Sequence, residues 1–284
     1  MAENKNVKIF HSIRGLSQNF GEIPKVDLEI NLDNEYNIYK YKDDNIIKKL
    51  KNIIISKLEE ANITKQDKIM LYAIAPNSIL VSIAFILEKY KYNFDFLPKP
   101  KDSLVWGYSD IDISDPELTN FIESKSTQLR ISNINHPIGI ILSGRSNVDN
   151  IEEVYKDNEN LIINKGFDYS YTNIITITHE IRLQENSDKS LVNKKCYEIF
   201  VNEINSIFND IVSYKNIKEV HILSSIPANG LLYLGKKIAD YKNNHLIFYI
   251  YNYISHNDRY ELGAILNGNL IDADSNILKN SFIY

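Results

Sequence analysis

The sequence carries a single cysteine, Cys196, among 284 residues. One thiol excludes an intramolecular disulfide framework and any cysteine-rich zinc site. Positive charge is also scarce: 32 Lys and Arg against 37 Asp and Glu leave a net charge of −5. Proteins that track duplex phosphates along their surface are basic. That argues against wholesale DNA binding and leaves room only for a local basic pocket that takes a small anion. The opening M-A-E-N-K-N-V-K-I-F lacks the apolar core of a signal peptide, and no apolar run reaches membrane-spanning length. A cytoplasmic location is therefore expected. No P-loop, G-x-S-x-G or G-x-G-x-x-G motif is present. What remains is ordinary globular composition, 44% hydrophobic and 24% charged, enough for one large or two small domains. The richness in Ile, Asn, Lys and Tyr is read as the codon bias of an AT-rich bacterial genome, not as chemistry.

Along the chain, apolar periodicity predicts strands at Val7 to Phe10 and, with clean alternation, Val26 to Leu32. A helix follows, with Ile46, Ile47, Leu50, Ile54 and Leu58 at helical spacing and Asp43 or Asp44 as its cap. Lys68 to Ala75 reads as a buried parallel strand. Asn77 or Ser78 can cap the next helix, which runs to about Tyr90, and Phe94 to Leu97 is a further strand. The segment Pro98 to Asn135 carries Pro98, Pro100, Pro116 and many Ser and Asp. It reads as a connector with a short helix near Pro116 to Ser124. A second series follows: strands at His136 to Ser143 and Asn173 to Glu180, a long amphipathic helix at Leu191 to Ser213, and a strand at Glu219 to Ser224. A helix opened by Pro227 then runs to Tyr241, and His245 to Tyr251 is another strand. Asn267-Gly268 is a hairpin signal.

The same order of elements thus appears twice. When Pro76 is laid on Pro227, Leu80 matches Leu231, Ile83 matches Leu234, Ala84 matches Gly235, Leu87 matches Ile238 and Tyr90 matches Tyr241. Apolar helices align readily by chance; a proline, a small residue and a terminal tyrosine at fixed spacing do so less readily. The period, half the chain, suits domain duplication and not a solenoid. The fold class expected is α/β, two tandem Rossmann-type halves with mainly parallel sheets and a C-terminal hairpin. Residues 1–97 form the first half, 98–135 the connector and 136–284 the second half.

Sheets of this type bind ligands outside the carboxyl ends of their strands. In both halves that position is a loop entering a helix: Ala75-Pro76-Asn77-Ser78, and Ser224-Ser225-Ile226-Pro227-Ala228-Asn229-Gly230. Free amides at a helix start favour a phosphate. Taken singly, either loop is better explained as a well-capped helix start; the duplication shifts the reading towards a site facing a pseudo-two-fold axis.

The run V-H-I-L-S-S-I-P-A-N-G-L-L-Y-L-G-K-K-I-A, followed by the strand I-F-Y-I-Y, resembles the C-terminal signature of SAVED domains, as do the upstream I-I-L-S-G-R and I-I-T-I-T-H-E-I-R. The resemblance covers roughly Lys68 to Tyr253. It implies two fused CARF-like halves that sense a cyclic oligonucleotide, cyclic oligoadenylate or a relative, in bacterial anti-phage systems (CBASS and type III CRISPR). No other cofactor is expected, and charge and hydropathy give no reason to expect a duplex DNA or membrane partner. Members of the family are typically fused to an effector, and this sequence reads as all sensor. Signalling is then expected through homo-oligomerisation or a separate effector chain. Two alternatives stay open: a metal-independent ring nuclease or sponge acting on the messenger, and an unrelated nucleotide-binding α/β enzyme.

The residues expected to line the ligand site are Pro76, Asn77, Ser78, Trp106, Tyr108, Arg145, Ser224, Ser225, Pro227 and Asn229. Arg145, in S-G-R after a strand, has the fork that suits phosphate, though a surface arginine at a strand end explains it equally. Arg182 in H-E-I-R is a weaker candidate of the same kind, and Arg14-Gly15 is a possible counterpart of the S-G-R loop. Trp106 and Tyr108 can stack on a base or pack at the domain joint. His179-Glu180 has no further histidine at zincin spacing, so no metal site is expected there. His221 reads as a core histidine, and Ser224 and Ser225 lack a nearby base, so no catalytic residue is named.

Overall fold

A computed structural model describes residues 4–10, 25–35, 46–99, 105–109, 111–114, 118, 120–126, 137–144, 160–164, 172–184, 190–213, 217–241, 246–254 and 259–267. The first half contains strands β1 (Asn4–Phe10), β2 (Leu28–Asn31), β3 (Lys68–Ile74) and β4 (Asn93–Phe96). Its helices are α1 (Leu32–Glu35), α2 (Ile46–Glu60) and α3 (Asn77–Lys89). The strands form a parallel sheet in the order β2-β1-β3-β4.

The rest of the chain supplies β5 (Ile122–Ser126), β6 (Ile138–Ser143), β7 (Asn160–Asn164), β8 (Thr172–Leu183), β9 (Glu219–Ser224), β10 (Ile247–Ile254) and β11 (Arg259–Asn267). Among the described residues it also holds helices α4 (Lys194–Ser213) and α5 (Ala228–Asp240). The second sheet runs β11-β10-β9-β6-β8-β5, with β7 beside the start of β8. Its centre, β10-β9-β6-β8, is parallel, and it is flanked by antiparallel β11, β5 and β7.

Duplication is written in this topology. Reading β4-β3-β1-β2 against β10-β9-β6-β8 places β3 on β9, with each of these strands followed by a helix that starts at a proline. Pro76 (φ −55°, ψ 154°) and Pro227 (φ −57°, ψ 158°) are both N-cap residues. Proline suits this place because its fixed φ is compatible with the extended N-cap and the N–H it lacks would have no partner in the helix. The equivalence drawn from spacing alone is met.

Helix α3 is buried on every side from Ser78 to Leu87, which explains why its sequence has no polar stripe. It packs along α5, and the crossing is close because Gly235 of α5 faces the Val81 carbonyl and Ala84 of α3. A Cβ on Gly235 would overlap the Val81 backbone. Ala84 and Gly235 are the pair matched in the repeat, so pseudo-equivalent small residues meet where the two helices cross. One contiguous apolar core joins both sheets to α2, α3, α4 and α5.

Several expectations are corrected. Neither Asn77 nor Ser78 caps α3; Pro76 does, with no side-chain cap bond, because both side chains are committed to the second half. Leu118 is helical, but Ile122 to Ser124 belong to strand β5, not to a helix, since they complete the edge of β8. Leu32 opens α1 instead of ending β2. Strand β7 was not foreseen. The C-terminal hairpin pairs β10 with β11, and Asn267 is not its turn but the last residue of β11, paired with Ile247. Asp43, Asp44 and Gly268 lie outside the described residues. No described helix is long and apolar enough to cross a membrane.

Candidate functional site

The parallel strands deliver their carboxyl ends to one region, where the two proline loops meet. Asn77, the first residue of α3, donates its side-chain amide to the carbonyl of Ser224, the last residue of β9, at 2.5 Å. The next residue, Ser78, is fully buried. Its backbone N–H donates to Asn252 Oδ1 at 2.9 Å, and its hydroxyl accepts from Asn252 Nδ2 at 2.9 Å. The start of α3 is therefore fastened to β9 and β10 of the other half.

The loop before α5 is shaped by its neighbours. The Ser225 N–H donates to the Leu142 carbonyl at 2.9 Å, and the Gly144 N–H reaches Ser225 Oγ at 3.4 Å. Gly144 sits directly on the Ile226-Pro227 turn: an added Cβ would come within 3.1 Å of Ile226 Cα. This close approach explains the glycine of S-G-R. It also brings that loop to the S-S-I-P loop. Arg145, which follows, lies outside the described residues, as do Arg14 and Gly15. Arg182 ends the same edge on β8, in register with Ser143.

Asn229, two residues after Pro227, corresponds to Ser78. It is buried, and its Nδ2 donates to the Leu191 carbonyl at 2.6 Å, tying α5 to the turn that precedes α4. Its Oδ1 is a buried acceptor with no hydrogen-bond partner among the described residues. Tyr108 arrives from the connector. Burial pushes its hydroxyl above the usual phenol range, while hydrogen bonds with Asn229 and Tyr197 act the other way. Its ring lies 5.3 Å from that of Tyr197 on α4, which in turn stands edge-on to Tyr233 of α5. Tyr197 is driven up strongly, first by burial and then by the neighbouring phenols. These hydroxyls stay neutral and serve as hydrogen-bonding groups.

The structure thus gathers Pro76, Asn77, Ser78, Ser224, Ser225, Pro227, Asn229 and Tyr108. Trp106 is buried edge-on against Tyr72 of β3, with ring centroids 5.3 Å apart. The connector is held down by the bridge of Ser109 to Asn193, the bond from Asn193 Nδ2 to the Ile111 carbonyl and the Lys195–Asp112 ion pair. His179 is buried in β8, where Nδ1 contacts Thr178 Oγ1 at 2.9 Å and Nε2 faces Asp210 of α4 at 3.5 Å. His221 is a core residue, stacked on Tyr249 at 4.5 Å and hydrogen-bonded to the Tyr251 hydroxyl.

Asn252 and Gly263 are missing from the residues that sequence reasoning selected. The signal for Gly263 was a lone glycine inside the apolar run E-L-G-A-I-L, which marks a bulge or a close backbone approach. Asn252 carried no signal beyond being a polar residue between tyrosines.

Comparison with known proteins places this geometry. No curated protein sequence matches the chain. Among solved structures, the Acinetobacter baumannii Cap4 SAVED/CARF-domain containing receptor with the cyclic trinucleotide 2′3′3′-cAAA superposes with a TM-score of 0.54 and 13% identity, over 93% of this chain and 52% of that one. The same receptor with 3′3′3′-cAAA gives 0.51 and 11%, over 94% and 52%. The Moraxella osloensis Cap4 receptor gives 0.50 and 12%, over 92% and 49%. The chain spans about half the length of these receptors. The family model for the SMODS-associated and fused to various effectors sensor domain matches residues 46–265, well over half of the chain. The chain belongs to the SAVED family.

Proposed function

We propose that this protein is a cytoplasmic sensor of a cyclic oligonucleotide messenger, of the cyclic oligoadenylate kind, in bacterial anti-phage defence. The observation that carries the proposal is the meeting of the two proline loops at the carboxyl ends of β3 and β9, with Asn77 bonded to Ser224. A site there spans both halves, as a ligand with several phosphates requires. Free amides at a helix start and an arginine are the groups that grip such a ligand. Arg145 and Arg182 are the candidates for the cation. The similarity to Cap4 receptors that hold cyclic trinucleotides supports the ligand class, and the family is described as a sensor domain.

Binding must alter something a second molecule reads, since a ligand shifts only equilibria in which it favours one state. Assembly is the economical route: part of a broad ring stays exposed after filling one site, and a second copy or an effector chain covers it. Incubation with a panel of cyclic oligonucleotides, followed by thermal shift and by chromatography of the nucleotide, tests the proposal. Stabilisation with intact ligand is expected. Linear product would instead assign a ring nuclease, and silence across the panel would remove the messenger altogether.

A further inference from the structure

The pseudo-two-fold that relates α3 to α5 breaks down at their first turns. Both helices begin at a proline N-cap without a side-chain cap. At the second residue after that proline the halves diverge. In α3, Ser78 gives its N–H to Asn252 Oδ1 and receives Asn252 Nδ2 on its hydroxyl. In α5, Asn229 turns its side chain to Leu191, and its own N–H has no capping partner among the described residues.

Gly263 makes room for the first arrangement. Ile250 pairs with Ala264 and Tyr251 with Leu262, so Gly263 is the extra residue of a bulge in β11. A Cβ at Gly263 would overlap Asn252 Nδ2 and the Ser78 side chain. Ser78 and Asn252 are buried, at 0% and 5% exposure. A carboxamide oxygen at the N–H of a helix start occupies the place where an anion would otherwise be bound.

We infer that Asn252 is an internal cap, a positioning residue that fills the start of α3 and bolts the first half to β10, so that the ligand's phosphates never use the Ser78 amide. The inference rests on the sensor proposal for the ligand, but not for the cap. The two helix starts are then unequal: that of α3 is self-satisfied, while that of α5 has no such cap among the described residues.

The test follows amide exchange and chemical shift in protein labelled with ¹⁵N at serine and asparagine, with 3′3′3′-cAAA as probe. The Ser78 amide is expected to be protected without ligand and unmoved by it, while the Asn229 amide shifts. Asn252→Ala should speed Ser78 exchange by about tenfold or more, the scale of one lost hydrogen bond. Asn252→Asp keeps an acceptor for the Ser78 N–H, gives up the donor and adds a carboxylate that a helix start favours, so it should restore most of the protection; it also serves if the alanine variant fails to fold. A Ser78 shift on cAAA addition as large as that of Asn229, or Ser78 exchange unchanged by Asn252→Ala, overturns the inference. If cAAA moves no amide at all, the sensor proposal fails for this ring, and the exchange measurements still decide whether Asn252 is the cap.

Discussion

Replacing Gly235 by alanine sets two physical effects against each other. Glycine inside a helix is worth about 1 kcal/mol less than alanine, so propensity alone predicts a more stable protein. The structure predicts the opposite. A methyl group at Gly235 would overlap the Val81 carbonyl and press on Ala84, whose Cβ would lie 3.0 Å away. The obstacle is backbone in the middle of a helix that is buried on all sides, so it cannot swing away as a flexible side chain would. Relief requires α3 and α5 to separate along their contact, which loosens the core common to both sheets. Overpacking of a well-filled core costs about 1–3 kcal/mol, and rigid backbone places this case at the upper end. Net of propensity, Gly235→Ala should cost about 2 kcal/mol, or about 4 °C in Tm for a chain of this size. Urea and thermal unfolding, followed by circular dichroism and by tyrosine fluorescence, measure both quantities. A Tm equal to or above that of the parent would show that the helices are not in contact at this point and would remove the pseudo-two-fold crossing.

Arg145→Ala is expected to weaken binding of a cyclic oligonucleotide by about 1–3 kcal/mol if the arginine makes a charge-assisted phosphate bond; unchanged affinity in calorimetry removes it from the site. Burial holds the His179 imidazole below its usual range, against the opposing pull of Asp210. The unfolded chain then binds the proton more readily, so this histidine's contribution is complete above about pH 6.5 and is lost as the pH falls below it. Urea midpoints should drop between pH 7.5 and 5.5 in the parent and drop less in His179→Gln. Tyr108→Phe should cost about 0.5–1.5 kcal/mol if its hydroxyl bonds within the buried cluster of Asn229 and Tyr197, visible as a lower Tm without change of fold; an unchanged Tm would show that the hydroxyl contributes nothing there. Sedimentation with saturating ligand should show a higher mass than without it, for this protein alone or mixed with an effector chain encoded beside it; a constant monomer mass in every mixture would leave only a sponge or a ring nuclease.

The parts legible in the sequence are those set by local pattern. Strand β9 is legible to the residue because E-V-H-I-L-S is a short apolar run closed by Pro227 three positions later. The crossing of Ala84 and Gly235 was legible as a matched pair of small residues, although not as a contact. The losses have equally specific causes. Strand β5 lies in a stretch rich in Ser and Asp, and its pairing with β8 spans some sixty residues. Strand β7 is five residues long and rests entirely on β8. The joint of Ser78 with Asn252 connects positions 174 apart. No window of sequence contains both partners, and serine and asparagine at a helix start or in a strand have commoner explanations. Capping was the commoner explanation for Ser78; the structure shows the cap arriving from the other half of the chain.

That exchange of roles explains why a duplicated fold keeps its symmetry in some places and loses it in others. Where α3 crosses α5, each helix is the other's environment. A bulky residue on either side would strain the same contact, and Ala84 and Gly235 are both small. The helix starts face different surroundings. The start of α3 lies against β10 and the bulge at Gly263, whereas Asn229 of α5 lies against Leu191 and Tyr108. Once two halves are joined in one chain, nothing obliges their equivalent rims to serve the same partner. A phosphate-ready amide that meets another strand in place of solvent costs free energy unless it is paired, and Asn252 pairs it. Among the described residues, the backbone amide of Asn229 has no such carboxamide. The difference between the two helix starts therefore follows from what lies beside each helix, not from any difference in their proline caps.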